Sequence, residues 1–62
     1  MIGEEQRLID NLDMIWTIAE DCSMAGYEDM NLGLKEIFVK GVGLLTDEGA
    51  KELKDTMESR GA

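Results

Sequence analysis

Residues 8–26 read LIDNLDMIWTIAEDCSMAG, and the fold turns on this stretch. Leu8, Leu12, Ile15, Ala19 and Cys22 recur at steps of 4, 3, 4 and 3, which draws one apolar stripe along an α-helix. Ile9 and Trp16 widen the stripe on one flank and Ile18 on the other. Upstream, Glu4 and Glu5 fall in the first turn, where the helix dipole favours negative charge. A first helix is therefore predicted from Gly3 or Glu4 to about Ala25, with Gly26 supplying a left-handed stop.

Downstream, residues 27–31 are polar and acidic and read as a turn, with Asp29 or Asn31 available to cap the next helix. A second helix is expected over about Leu32 to Val42. Its inward face is read as Leu34, Ile37, Phe38 and Gly41, continuing to Leu45, with Val39 and Val42 broadening the apolar surface. Gly33, Gly41 and Gly43 each weaken a helix by about 1 kcal/mol relative to alanine, so each marks a close helix approach or a frayed end. The third helix has a clear start. Thr46 is the expected N-cap, Asp47 and Glu48 occupy the first turn, Leu45 can staple onto Ala50, and Arg60 and Gly61 mark the end. Its stripe of Ala50, Leu53 and Met57 is thin, which predicts a lid on the first two helices. The best strand candidate, residues 37–42, is broken by Lys40 and Gly41 and has no pairing partner. The expected fold is all-α: an antiparallel helical hairpin plus a short third helix, in one domain spanning residues 1–62.

The chain is small for such a fold. A domain of 62 residues buries only about 60% of the surface its unfolded chain exposes. Cys22 is the lone cysteine and histidine is absent, so neither a disulfide nor a thiolate or imidazole metal site can compensate. Self-association into a homodimer, or docking on a partner, is the remaining route. Hydrophobic residues make up 44% of the chain, enough for a core and too many for a disordered segment. No apolar run approaches the ~20 residues that span a bilayer, and Glu4 and Glu5 stand where a signal peptide would be basic. With an unpaired cysteine, the expected location is cytoplasmic.

The net charge of −8 is unevenly placed, since residues 1–29 alone carry −7. Phosphate backbones need cations, so direct nucleic-acid binding is disfavoured and a basic protein surface is the natural complement. The plain alternative is that surplus acid keeps a small protein in solution.

Several residue patterns resemble chemistry without completing it. Asp21, Ser23, Gly26 and Asp29 match four positions of a calcium-binding loop, but Ala25 and Leu32 cannot supply the ligands required at two others. The acidic doublets Glu20–Asp21, Glu28–Asp29 and Asp47–Glu48 point in different directions on a helix and have no pocket to raise their pKa. Cys22 follows two acids on the apolar stripe, which suits a core residue and not a reactive thiolate. No catalytic residue, metal or cofactor is expected.

Two surfaces remain as candidates. Asp10, Asp13, Thr17, Glu20 and Asp21 form an acidic ridge opposite the stripe of the first helix, extended around the turn by Glu28 and Asp29. Trp16 and Tyr27, with Met14, Met24 and Met30, form an adaptable apolar patch beside it. Either could equally be structural: a solvated face, and a tryptophan covering the core. The expected function is a regulator or inhibitor that occludes a basic surface, for example that of a nucleic-acid-binding protein. Size and charge suit phage or mobile-element anti-defence proteins. The alternative is an obligate homo-oligomeric structural or adaptor subunit.

Overall fold

The computed structural model describes residues 3–61. Helix α1 spans Glu4–Met24, α2 spans Glu28–Val42 and α3 spans Asp47–Gly61, and no strand occurs among the described residues. Helix α1 is the centre of the bundle. Both α2 and α3 pack against it, while α2 and α3 make only marginal contact with each other. Asn31 meets Ala19 and Gly41 meets Leu12, so α2 runs antiparallel to α1. Thr46 is held by Glu5 and Arg60 by Asp13, so α3 runs parallel to α1. The hairpin plus third helix is thus the observed architecture. The expectation of a lid across both partners is corrected: α3 leans on α1, and Leu53 is 3% exposed within the core.

The turn after α1 is tighter than the composition of residues 27–31 suggests. Gly26 adopts a φ of +87°, the left-handed conformation that glycine takes without a Cβ penalty. The Gly26 amide then donates to the Ser23 carbonyl at 3.1 Å and the Tyr27 amide to the Cys22 carbonyl at 2.8 Å. This paired closure consumes two carbonyls at the helix end and reverses the chain in three residues. Helix α2 consequently begins at Glu28, four residues before the predicted Leu32, with Glu28 and Asp29 inside its first turn. Neither Asp29 nor Asn31 caps it. The N-cap position is Tyr27, which makes no side-chain capping bond. The dipole rewards carboxylates in a first turn, so the acidic run is helix and not loop.

The core is small. Ile9, Leu12 and Leu53 form its buried centre, with Leu8, Ile15, Phe38, Val42, Leu45 and Met57 packed around them. Ala19 and Cys22 are buried on the same stripe of α1, as the spacing requires. On α2 the inward positions are Asn31, Leu34, Phe38 and Gly41. Ile37, expected inward, is 53% exposed, and Val39 is exposed as well. The helical period explains this: the line from Asn31 through Gly41 steps by 3, 4 and 3 residues and leaves Ile37 on a flank. Ile18 on α1 is exposed for the same reason.

Two glycines set the spacing between helices. A Cβ on Gly41 would collide with the methyl groups of Leu12, so the absent side chain lets α2 approach α1 closely. A Cβ on Gly49 would come within 2.6 Å of the Glu5 carboxyl group. That carboxylate accepts from the Thr46 amide at 2.8 Å and from the Thr46 hydroxyl at 3.0 Å. The Thr46 hydroxyl in turn accepts from the Gly49 amide at 3.1 Å, which confirms Thr46 as the N-cap of α3. Gly33 faces open space and has no such role.

Candidate interaction surfaces

The structure divides the predicted acidic ridge into a structural part and a free part. Asp13 is 7% exposed, so it is not an outward charge. Its carboxylate pairs with the Arg60 guanidinium at 2.6 Å, and Arg60 also donates to the Thr17 hydroxyl at 3.3 Å. Thr17 in turn donates to the Asp13 carbonyl at 3.0 Å. The reading of Asp13 as part of an outward ridge is corrected. A charge beside the core needs a partner, and Arg60 brings one from 47 residues away while fastening the end of α3 to α1. Glu5 does the equivalent at the other end of α3. These two polar clasps bracket the contact made by Leu53. Asp13 lies four residues after buried Ile9, a spacing that already put it near the stripe.

The remaining acids face solvent. Asp10 is exposed and accepts from Gln6 Nε2 at 3.2 Å within α1. Glu20, Asp21, Glu28 and Asp29 are exposed, and none forms an ion pair among the described residues. No lysine or arginine occurs between residues 17 and 34, so the charges that the α1–α2 turn itself carries are all negative, while Arg60 of α3 lines a hollow with Glu20, Asp21 and Met24. Beside these acids, Met24 is 87% exposed and Tyr27 61% exposed, with Met30 nearby in the first turn of α2. The turn therefore presents apolar and acidic groups together.

Trp16 belongs partly to the fold. It is half-buried, its ring lies 5.0 Å from that of Phe38 at 51°, and Lys35 Nζ stands 5.4 Å from its centroid. Its indole N–H donates to the Glu20 carboxylate. Trp16 thus joins α1 to α2, and Glu20 satisfies the polar edge that remains in water.

A third surface carries no periodic signal in the sequence. Because α2 and α3 scarcely touch, an apolar cleft opens between them, lined by Phe38, Val42, Ala50, Leu53 and Met57, with Lys54 and Glu58 at its edge. Reading each helix by itself cannot find it, since each lining residue also serves the core stripe of its own helix.

Among the described residues, no three carboxylate or thiol side chains gather closely enough to hold a metal ion. No buried side-chain nitrogen or oxygen among them lacks a hydrogen-bond partner: Asn31 Nδ2, for example, donates to the Ala19 carbonyl at 2.6 Å. Cys22 is buried. None of the described helices is long and apolar enough to cross a membrane. Comparison of the chain with protein-family models, with curated proteins and with solved structures finds no match.

Proposed function

We propose that this chain is a non-enzymatic binding protein that docks the anionic end of its bundle on a basic protein surface and acts by occluding it. The observation that carries this reading is the α1–α2 turn. There Met24, Tyr27 and Met30 stand exposed among Asp21, Glu28 and Asp29, with no cation in that stretch of sequence. Exposed methionine and tyrosine supply apolar contact area, and unpaired carboxylates supply steering and register against a basic partner. A nucleic-acid-binding face is the natural target, because its phosphate-binding cations would meet these carboxylates instead. The size and charge suit an inhibitor of the kind used by phages and mobile elements. A cytoplasmic site of action follows from that role.

The test is affinity capture from the native host, followed by binding measurements on the captured protein. The variant Asp21→Asn, Glu28→Gln, Asp29→Asn should keep its helicity and lose binding by more than about tenfold, and wild-type binding should weaken as salt rises. Capture that ignores both changes removes this reading. The variant spares Asp13 and Glu5, whose carboxylates hold the fold together.

Self-association is a second partnership we infer, and the exposed surface favours it. The chain exposes 4854 Å², whereas a compact monomer of 6.9 kDa exposes about 4,000 Å².

A further inference from the structure

We infer that the side of the α1–α2 hairpin turned away from α3 is the seat of a second copy of this chain. The two copies pack about a two-fold axis, α1 against α1 and α2 against α2, each pair antiparallel. This rests on the self-association just proposed and names the face that mediates it.

The first observation is where the exposed apolar side chains lie. A hairpin has two broad sides, and α3 takes one of them. Asp13 and Thr17, which hold Arg60, mark that side on α1, and Phe38 and Val42, which line the α2–α3 cleft, mark it on α2. At about 100° per residue, Ile18 lies about 140° round α1 from Asp13, and Ile37 about 140° round α2 from Val42. Both therefore stand on the side that α3 leaves open. Met14 falls beside Ile18. Met30 and Leu44 lie seven residues before and after Ile37, on the same line of α2, since Gly43 keeps helical dihedrals of φ −63° and ψ −17°. Five of the nine large apolar residues that the fold leaves exposed thus share this one side: Met14, Ile18, Met30, Ile37 and Leu44. A contiguous apolar face of that kind marks a contact with another macromolecule.

The second is symmetry. Met30, Ile37 and Leu44 are centred on Ile37. Leu12 stands level with Gly41, and Ala19 with Asn31, so Ile37 is level with about Ile15 on α1. A two-fold axis passing through Ile37, perpendicular to the helices, therefore crosses α1 between Met14 and Ile15. A two-fold contact sets the same patch against itself. Here it sets Ile37 on Ile37, Met30 on Leu44 and Met14 on Ile15, while Ile18 meets the uncharged Asn11. No charged side chain opposes an apolar one in this register.

The third is charge, and it selects a second copy over a basic partner. The chain has 14 acidic residues against 6 basic ones. From Arg7 to Ile18 on α1 and from Met30 to Leu44 on α2, however, the open side carries the cations Arg7 and Lys40 and no carboxylate. A basic surface is repelled here and an acidic one attracted, and this chain is itself acidic. In the register above, Arg7 comes level with Asp21 of its twin and so lies between that carboxylate and its own Asp10. Lys40 comes within about 3 Å along the axis of Glu36 of its twin, on the same flank of α2. Arg7, Asp21, Glu36 and Lys40 are all exposed, so each cation of the face is free to take an acid of the other copy. The α1–α2 turns fall at opposite ends of the pair, which leaves Met24, Tyr27, Glu28 and Asp29 free for the partner proposed above.

The test uses the whole chain, with helicity checked by circular dichroism and mass by sedimentation equilibrium. Wild type is expected to be a dimer at about 0.1 mM, above the micromolar range of a moderate interface. Ile37→Glu places two carboxylates on the axis and should weaken dimerisation at least about tenfold. Val39→Glu is the control: Val39 is more exposed than Ile37 but lies on another side of α2, so dimerisation should not change. Both positions are exposed, so both variants should fold. A residue on a two-fold axis meets itself, so Ile37→Cys should form a covalent dimer with oxidised glutathione as the oxidant, and Val39→Cys should not. The native Cys22 is buried, and wild type gives the background. A wild-type chain that is folded yet monomeric at that concentration overturns self-association and the face together. A wild-type dimer that Val39→Glu weakens as much as Ile37→Glu does, or one in which Ile37→Cys gives no covalent dimer, overturns the face alone.

Discussion

Alanine at Gly33 and at Gly41 should have opposite effects, although both glycines lie inside α2. Replacing glycine by alanine in a helix interior gains about 1 kcal/mol, because the more restricted unfolded chain has less entropy to lose. At Gly33 a new Cβ meets nothing, so the full gain is expected, which for a chain of this size raises the midpoint of thermal unfolding by about 4–8 °C. At Gly41 the new Cβ would collide with the methyl groups of Leu12, a residue 1% exposed at the centre of the core. Overpacking of that kind costs about 1–3 kcal/mol. Set against the same propensity gain, the net change is a loss of about 0–2 kcal/mol, and α2 is pushed away from α1. Urea unfolding followed by helical circular dichroism measures both variants directly. The collision has its own control. In a background carrying Gly33→Ala and Leu12→Ala, the space is vacated, and Gly41→Ala should become stabilising. If Gly41→Ala stabilises the wild-type background as much as Gly33→Ala does, the close approach of α1 and α2 at this point is wrong. If Leu12→Ala fails to change its sign, Leu12 is not the obstacle.

The two clasps of α3 make further tests. Arg60→Ala removes the counter-charge of Asp13 and a bond to Thr17, and should cost about 1–2 kcal/mol by chemical denaturation, with Arg60→Lys recovering only part because an ammonium lacks the fork that reaches both groups. Thr46→Ala deletes the cap of α3 and one partner of Glu5, and should cost about 1 kcal/mol. Amide exchange should show that loss concentrated in α3 and not in α1 or α2.

The local character of the chain is written in the order of its residues. The apolar period of α1 defines a stripe that any helix must bury, so Leu12, Ala19 and Cys22 go inward whatever their partners. Gly26 and Thr46 set helix ends by backbone geometry and a single hydrogen bond, both of which act within a few residues. The anionic leading segment is likewise a matter of composition. Tertiary packing governs whatever depends on residues far apart in the chain. The spacing from Ile9 sets Asp13 nearer the stripe than Asp10, but only the packing of α3 against α1 brings it a counter-charge, Arg60. Ile37 and Phe38 are equally apolar neighbours, and the rotation of α2 about its axis exposes one and covers the other. That rotation is set by Gly41 against Leu12 and by Asn31 on the Ala19 carbonyl. The cleft between α2 and α3 exists because α1 draws both helices to itself. Helical periodicity constrains each helix alone, whereas the angle at which two helices diverge depends on close packing of side chains from all three.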